Sequence, residues 1–427
     1  MLPLALLCLS VVLSGCRMKG VQIEQSPLLR LLEVSSGLIA FQGPDGNVYT
    51  IDQKGKGRRA VTRDAGTKGD LLIRYGLSTW SPDGKLIAFP AFTVSSQGEL
   101  VEARIVTAAR NGTETGRYLQ SAALAPIYLS WAPDSSRIAI LSSSIEQGTL
   151  ELGVASLDAG GYTPLDHGSP YYWDWSADNR TLIAHVNSGP GEERLSLIRA
   201  DAPWAREDLP VSPAVFQAPD LSRDGRYLAY VSTREAESAL LLRDLSSGEE
   251  RTLTTAQGPL YFSLSPDGSS IAVLHALGVQ PVPYGTLQIL SLDGKTVRTT
   301  QERLVLGSFW SPDGRRIAFL AAGDGGSADA AFLADPQALY LRLDVIDPRS
   351  GASWTVATFP PTRELVELLP FLDQYVRSVT PWSPDGKHLV FTAYSREGDP
   401  SVYVARAAGG IKPRLLTPGD AAFWSWR

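Results

Sequence analysis

Few residues in this chain could carry chemistry. It has four histidines, His167, His185, His275 and His388, and two cysteines, Cys8 and Cys16. Convergent imidazoles could hold a metal or move protons, but these four fall at non-equivalent places. His185 fills a slot held elsewhere by Phe89, Phe319 and Phe391, so it reads as core. His388 follows a lysine in a turn and reads as exposed. No His-Glu-x-x-His, Cys-x-x-Cys or Gly-x-Ser-x-Gly occurs, which leaves zinc-hydrolase and nucleophile-elbow chemistry without a motif. Seven aspartates recur at equivalent positions: Asp83, Asp134, Asp178, Asp224, Asp267, Asp313 and Asp385. They suggest metal ligands until their neighbours are read. A serine or alanine lies two residues before each, and glycine, serine or asparagine follows, which is turn chemistry. The glycine-aspartate stretch 323–329 faintly resembles a calcium loop but lacks the bidentate glutamate. Neither a metal nor a cofactor is expected.

The elements that would position any site come from the same turns. Trp310-Ser311-Pro312-Asp313-Gly314 runs into Ile317-Ala318-Phe319, and the unit recurs around Trp80, Trp131, Trp175, Leu221, Leu264 and Trp382. Proline presets φ, aspartate bonds nearby backbone and glycine accepts positive φ, so each copy predicts a hairpin. The anchors are 43 to 51 residues apart, except for 72 between Trp310 and Trp382. Four short strands fill that period, as in a propeller blade. No helical pattern separates the copies, which argues against a parallel βαβ array. An eighth copy is split: Phe423-Trp424-Ser425-Trp426 supplies an inner strand, while residues 37–41 and 48–52 supply the next two. The expected fold is therefore all-β, an eight-bladed propeller of four-stranded antiparallel blades. Its closing blade is shared by the N- and C-terminal segments, which leaves no open edge.

The repeated Trp-Ser-Pro-Asp-Gly-(Lys/Arg)-x-Ile-Ala-Phe resembles the TolB-type, WD-like β-propeller repeat, over residues 38 to 427. The resemblance implies a fold shared by periplasmic scaffolds and by the propeller domains of serine peptidases, so it does not by itself assign function. The chain also resembles bacterial lipoprotein members of that group. Residues 1–15 hold no charged side chain and include the apolar run 4–13, which suits a signal peptide. Leu13-Ser14-Gly15-Cys16 is similar to a lipobox, in which Cys16 would be lipidated and residues 16–36 would form a tether. Two or three acyl chains would anchor firmly outside the cytoplasmic membrane.

Composition narrows partners further. The net charge is −6, with 39 basic and 45 acidic residues, so a nucleic-acid-binding face is not expected. With no cysteine pair left after processing, an exported monomer must be held by burial, and 44% hydrophobic residues with 10 tryptophans suffice.

Two connections are enlarged, 321–337 and 360–378, and both should lie on the face opposite the Pro-Asp-Gly turns. Leu365, Leu368 and Leu369 have helical spacing, and Pro370 interrupts them. This insertion reads either as packing on the propeller or as a lid whose Asp373, Gln374 and Tyr375 face a ligand. Tyr128, His167, Tyr171, Tyr172 and Tyr261 should reach the same face as candidate ligand-binding residues. The leading expectation is a non-enzymatic, membrane-anchored propeller that binds a protein, peptide or cell-wall glycan of the envelope there, in the periplasm or outside the cell. The alternatives are an enzyme or enzyme subunit acting on an extracellular polymer, with His167, Asp174 and Asp373 to test, and a structural component of an envelope complex.

Overall fold

The computed structural model describes residues 34–427, apart from 147, 188–191, 200–204, 215–216, 235–236, 280–281 and 324–339. Cys16, the leader, most of the tether and most of the 321–337 connection lie outside the described residues.

Each Ser-x-Asp turn closes in the same way. The serine hydroxyl donates to the aspartate, at 2.7 Å for Ser81–Asp83 and 2.6 Å for Ser311–Asp313. That carboxylate also accepts the backbone N–H two residues on, from Lys85 and Arg315. The serine oxygen accepts the amide five residues on, from Leu86 and Arg316 at 2.9 Å. Gly84, Gly314 and Gly386 take φ of +69°, +67° and +64°, which glycine adopts without cost. Ser135 and Asn179 stand at that position with φ of 67° and 62°. The aspartates are consumed as turn acceptors.

From these turns rise antiparallel meanders. Leu124–Trp131, Arg137–Ser144, Leu150–Ser156 and Gly161–Gly168 form one four-stranded sheet, and Tyr171–Trp175 to Ala205–Asp208 form the next. Asp220–Leu221 opens a third. Two further meanders, beginning at Leu260–Leu264 and Val305–Trp310, touch through the Gly285–Val305 pair and so count as one eight-stranded sheet. The Trp80 sheet precedes this series and the sheet of His388–Tyr394, Pro400–Arg406 and Arg414–Pro418 follows it. The last sheet joins both chain ends: Asp420–Trp424 is innermost, followed by Ile39–Gln42, Val48–Ile51 and Arg59–Ala60. Ile39 pairs Trp424 and Ala40 pairs Phe423. This is a β-propeller architecture.

The recurrent tryptophans do more than fill space. Trp131 donates its indole N–H to Thr79 O at 3.3 Å, and Trp175 to Ser130 O at 3.4 Å. Trp310 donates to Ser263 O at 3.1 Å and Trp382 to Phe309 O at 3.0 Å. Each bond crosses from one inner strand to the preceding sheet, so the tryptophan both buries area and satisfies a carbonyl. His185 is core, as expected, with Nδ1 2.9 Å from Gln217 O. His388 is not exposed: it is 5% accessible and stacks on Trp424 at 6.4 Å. The slot after the turn packs on the next sheet's tryptophan, as Arg316 does on Trp382, and turn residues upstream give no hint of that.

Candidate functional site

The 360–378 insertion builds the centre of the molecule. Thr362 caps a short helix, α1 (Arg363–Leu368), by accepting from Leu365 N, and its hydroxyl also donates to Asp420 at 2.7 Å. Pro370 then forces a 3-10 turn, Leu369–Phe371, before a second short helix, α2 (Leu372–Tyr375). Leu369 and Leu372 are buried in the cluster that holds Leu306, Phe309 and Phe391.

The polar residues of the insertion point inward. Gln374 Nε2 donates to Trp173 O at 2.9 Å, and its Oε1 accepts from Trp173 N at 3.0 Å. Asp373 accepts from Ala218 N at 3.1 Å. Tyr128 donates its hydroxyl to Gln374 O at 2.9 Å, and its ring meets Tyr375 edge-on at 5.1 Å. Thr79 donates to Ser378 O at 2.6 Å. Residues of four separate sheets thus bond this one segment. It is packed on the propeller, and Gln374 and Asp373 meet protein groups.

Arg377 ends the segment and is 8% accessible. It donates to Asp373 O at 2.5 Å and Pro219 O at 2.7 Å. Around it stand Asp220, 3.5 Å away, and Asp174, 3.9 Å away, from the inner strands of adjacent sheets. Asp174 Oδ2 accepts from Leu221 N and Asp220 Oδ2 from Leu264 N, each in the following sheet. Burial pushes Asp220 up to about 7 despite Arg377, helped by neighbouring Asp174. Burial also raises Asp174, although Arg377, the Leu221 and Trp175 backbone N–H groups and a hydrogen bond with Asp220 oppose the rise. Asp373 rises to about 6, again through burial. The arrangement is a pair of buried carboxylates, from adjacent sheets, flanking one guanidinium.

The remaining candidates divide. Tyr171 is fully buried between sheets and bonds Asp166 at 3.1 Å. Tyr172 and Tyr261 are only partly buried and lie close enough to Asp373 for its charge to raise both hydroxyls, after burial as the larger cause. A cavity of about 40 Å³ lies there, lined by Tyr261, Ser263, Ser308, Leu372 and Asp373. His167 is apart from all of these, exposed on an outer strand and 3.2 Å from Glu151. Sequence reasoning missed Asp220 and Arg377. Asp220 precedes a repeat anchor as Asp174 does, and that shared offset was the available signal.

No family model matches the chain, and no curated protein matches it. Among solved structures, a prolyl endopeptidase is 13% identical with a TM-score of 0.54, over 81% of this chain and 50% of its own. The dihydro-heme d1 dehydrogenase NirN is 14% identical with a TM-score of 0.50, over 96% and 80%. TolB from Acinetobacter baumannii is 20% identical with a TM-score of 0.38, over 61% of this chain and 62% of its own. The chain therefore spans less than two thirds of that TolB and half of the peptidase. At these identities the likeness is one of fold alone.

The comparisons correct the functional expectation. Sequence reasoning favoured a non-enzymatic binder because no catalytic motif was visible. Solved structures that share the fold include enzymes, so a propeller without such a motif is no ground for setting catalysis aside. The fold does not decide between enzyme and non-enzyme.

Proposed function

We propose that the chain is an enzyme, or the working subunit of one, whose chemistry is centred on Asp174 and Asp220 and whose substrate is a peptide polymer of the cell envelope. The observation that carries this reading is the pair of buried carboxylates on adjacent inner strands, 3.9 and 3.5 Å from Arg377, with burial raising both. Carboxylates in hydrogen-bond reach cannot both ionise readily, so one stays basic while the other stays acidic near neutral pH. Such a pair suits activating water with one group and protonating a leaving amine with the other. Tyr172 and Tyr261, with Asp373, Gln374 and Tyr375 behind them, would border the substrate. We further propose eight blades, a lipid on Cys16 and a location outside the cytoplasmic membrane; the seven complete repeats, the split one and the lipobox-like stretch support these.

A peptide library incubated with the full-length protein and read by mass spectrometry tests the reading. Cleavage by the wild type that disappears in Asp220→Asn and Asp174→Asn, with both variants folded, is the expected result. A second reading, a lock between sheets, is favoured by the bonds from Leu221 N and Leu264 N. Absence of wild-type cleavage, combined with lost stability in Asp220→Ala, would leave only the lock.

A further inference from the structure

We infer that the seam between the closing sheet and the Trp80 sheet is a binding site for a small hydroxylated monocarboxylate, such as a sugar acid. The inference stands on residues separate from the Asp174–Asp220 pair and does not depend on its role.

A cavity of about 150 Å³ opens at this seam, lined by Arg63, Asp64, Tyr75, Arg104, Glu114 and Arg117. A water needs only about 10–15 Å³ of such space, so the cavity has room for a molecule of monosaccharide size. Three guanidinium groups meet there, and they are unequally used. Arg117 is occupied by Glu114 at 2.7 and 3.2 Å. Arg104 spends one terminal nitrogen on Glu102 at 2.5 Å, while its Nε is buried with no hydrogen-bond partner among the described residues. Arg63 is exposed, and its side chain makes no hydrogen bond or ion pair with the described residues. A buried charged donor left unsatisfied carries a desolvation penalty that a bound anion would relieve. The Nε edge of a guanidinium is also half of the fork that grips a planar carboxylate.

The acids of the site specify the rest of the ligand. Asp64 accepts from the Tyr75 hydroxyl, Glu114 faces the same cavity and Glu102 pairs Arg104. Three acids balance three arginines and leave no net positive charge, so a dianion such as phosphate would be poorly compensated, whereas a monoanion needs only the unused Arg63 and the Arg104 Nε edge. Carboxylate oxygens in the lining accept from hydroxyl donors. A ligand that carries one carboxylate and several hydroxyls satisfies both halves of the cavity.

Calorimetric titration of the full-length protein with glucuronate, glucose, acetate and inorganic phosphate tests this. Glucuronate should bind measurably more tightly than acetate, glucose or phosphate. Arg104→Met should weaken glucuronate at least tenfold. Arg63→Gln, at an exposed side chain, should weaken it severalfold with an unchanged melting temperature. Equal binding of phosphate, undiminished binding in both variants, or no glucuronate heat at all would overturn the proposal.

Discussion

At the scale of single residues, the informative groups are those whose protonation the fold has displaced. Asp220 sits at about 7 against its usual 3.8 because burial disfavours the charged form. The folded chain therefore keeps a proton that the unfolded chain has released, and stability must fall as pH rises from about 4 through about 7. Asp220→Asn imitates the protonated acid: its amide can donate toward Asp174 and its oxygen can accept from Leu264 N. Thermal melts from pH 5 to pH 8 should show less pH dependence in this variant, with stability at pH 8 equal to or above that of the wild type. Arg377→Met should act the opposite way. Removing one partner of a buried ion cluster costs about 3–5 kcal/mol, and the loss should be larger at pH 8 than at pH 5, because the carboxylates can take up protons at the lower pH. A loss that is the same at both pH values would contradict this assignment of charge.

The insertion and the tryptophan stitches act at the scale of elements. A detachable lid over residues 360–378 would tolerate trimming without loss of stability. Leu369 and Leu372 are instead core residues, and Gln374 is doubly bonded to the Trp173 backbone. Replacing 363–377 with a short glycine-serine turn should therefore lower the denaturation midpoint markedly. Gly307 shows how close the fit is: a Cβ there would come within 2.5 Å of Leu372 Cδ1. Gly307→Ala should cost about 1–3 kcal/mol in chemical denaturation, as overpacking does. Trp382→Phe keeps most of the buried ring but strands Phe309 O, and a similar loss of about 1–3 kcal/mol is expected.

At the scale of the whole molecule, the ring closes by pairing residues nearly 400 positions apart. Asp420–Trp424 is the inner strand on which Ile39–Gln42 forms its ladder, and Leu38 and Ser425 bond each other reciprocally. Deleting 420–427 should remove the closing strand and make 34–60 sensitive to limited proteolysis, whereas deletion of an ordinary terminal tail would not. Much of this was legible in the sequence, because a propeller repeats one local instruction: a turn whose serine, aspartate and glycine fix the hairpin, followed by strand-forming residues. That local chemistry determined the turns, the meanders, the role of the seven aspartates and even the split final sheet. It could not reveal which side chains meet at the centre, since Asp174, Asp220 and Arg377 are brought together only by the curvature of the ring and the path of one insertion. Arg104 and Arg117 stand on paired strands of the Trp80 sheet, and Arg63 joins them only through the path the chain takes from the closing sheet into that one. Hairpin register is decided over a few residues, whereas burial, shared protons and converging charge depend on distances that only the closed tertiary structure sets.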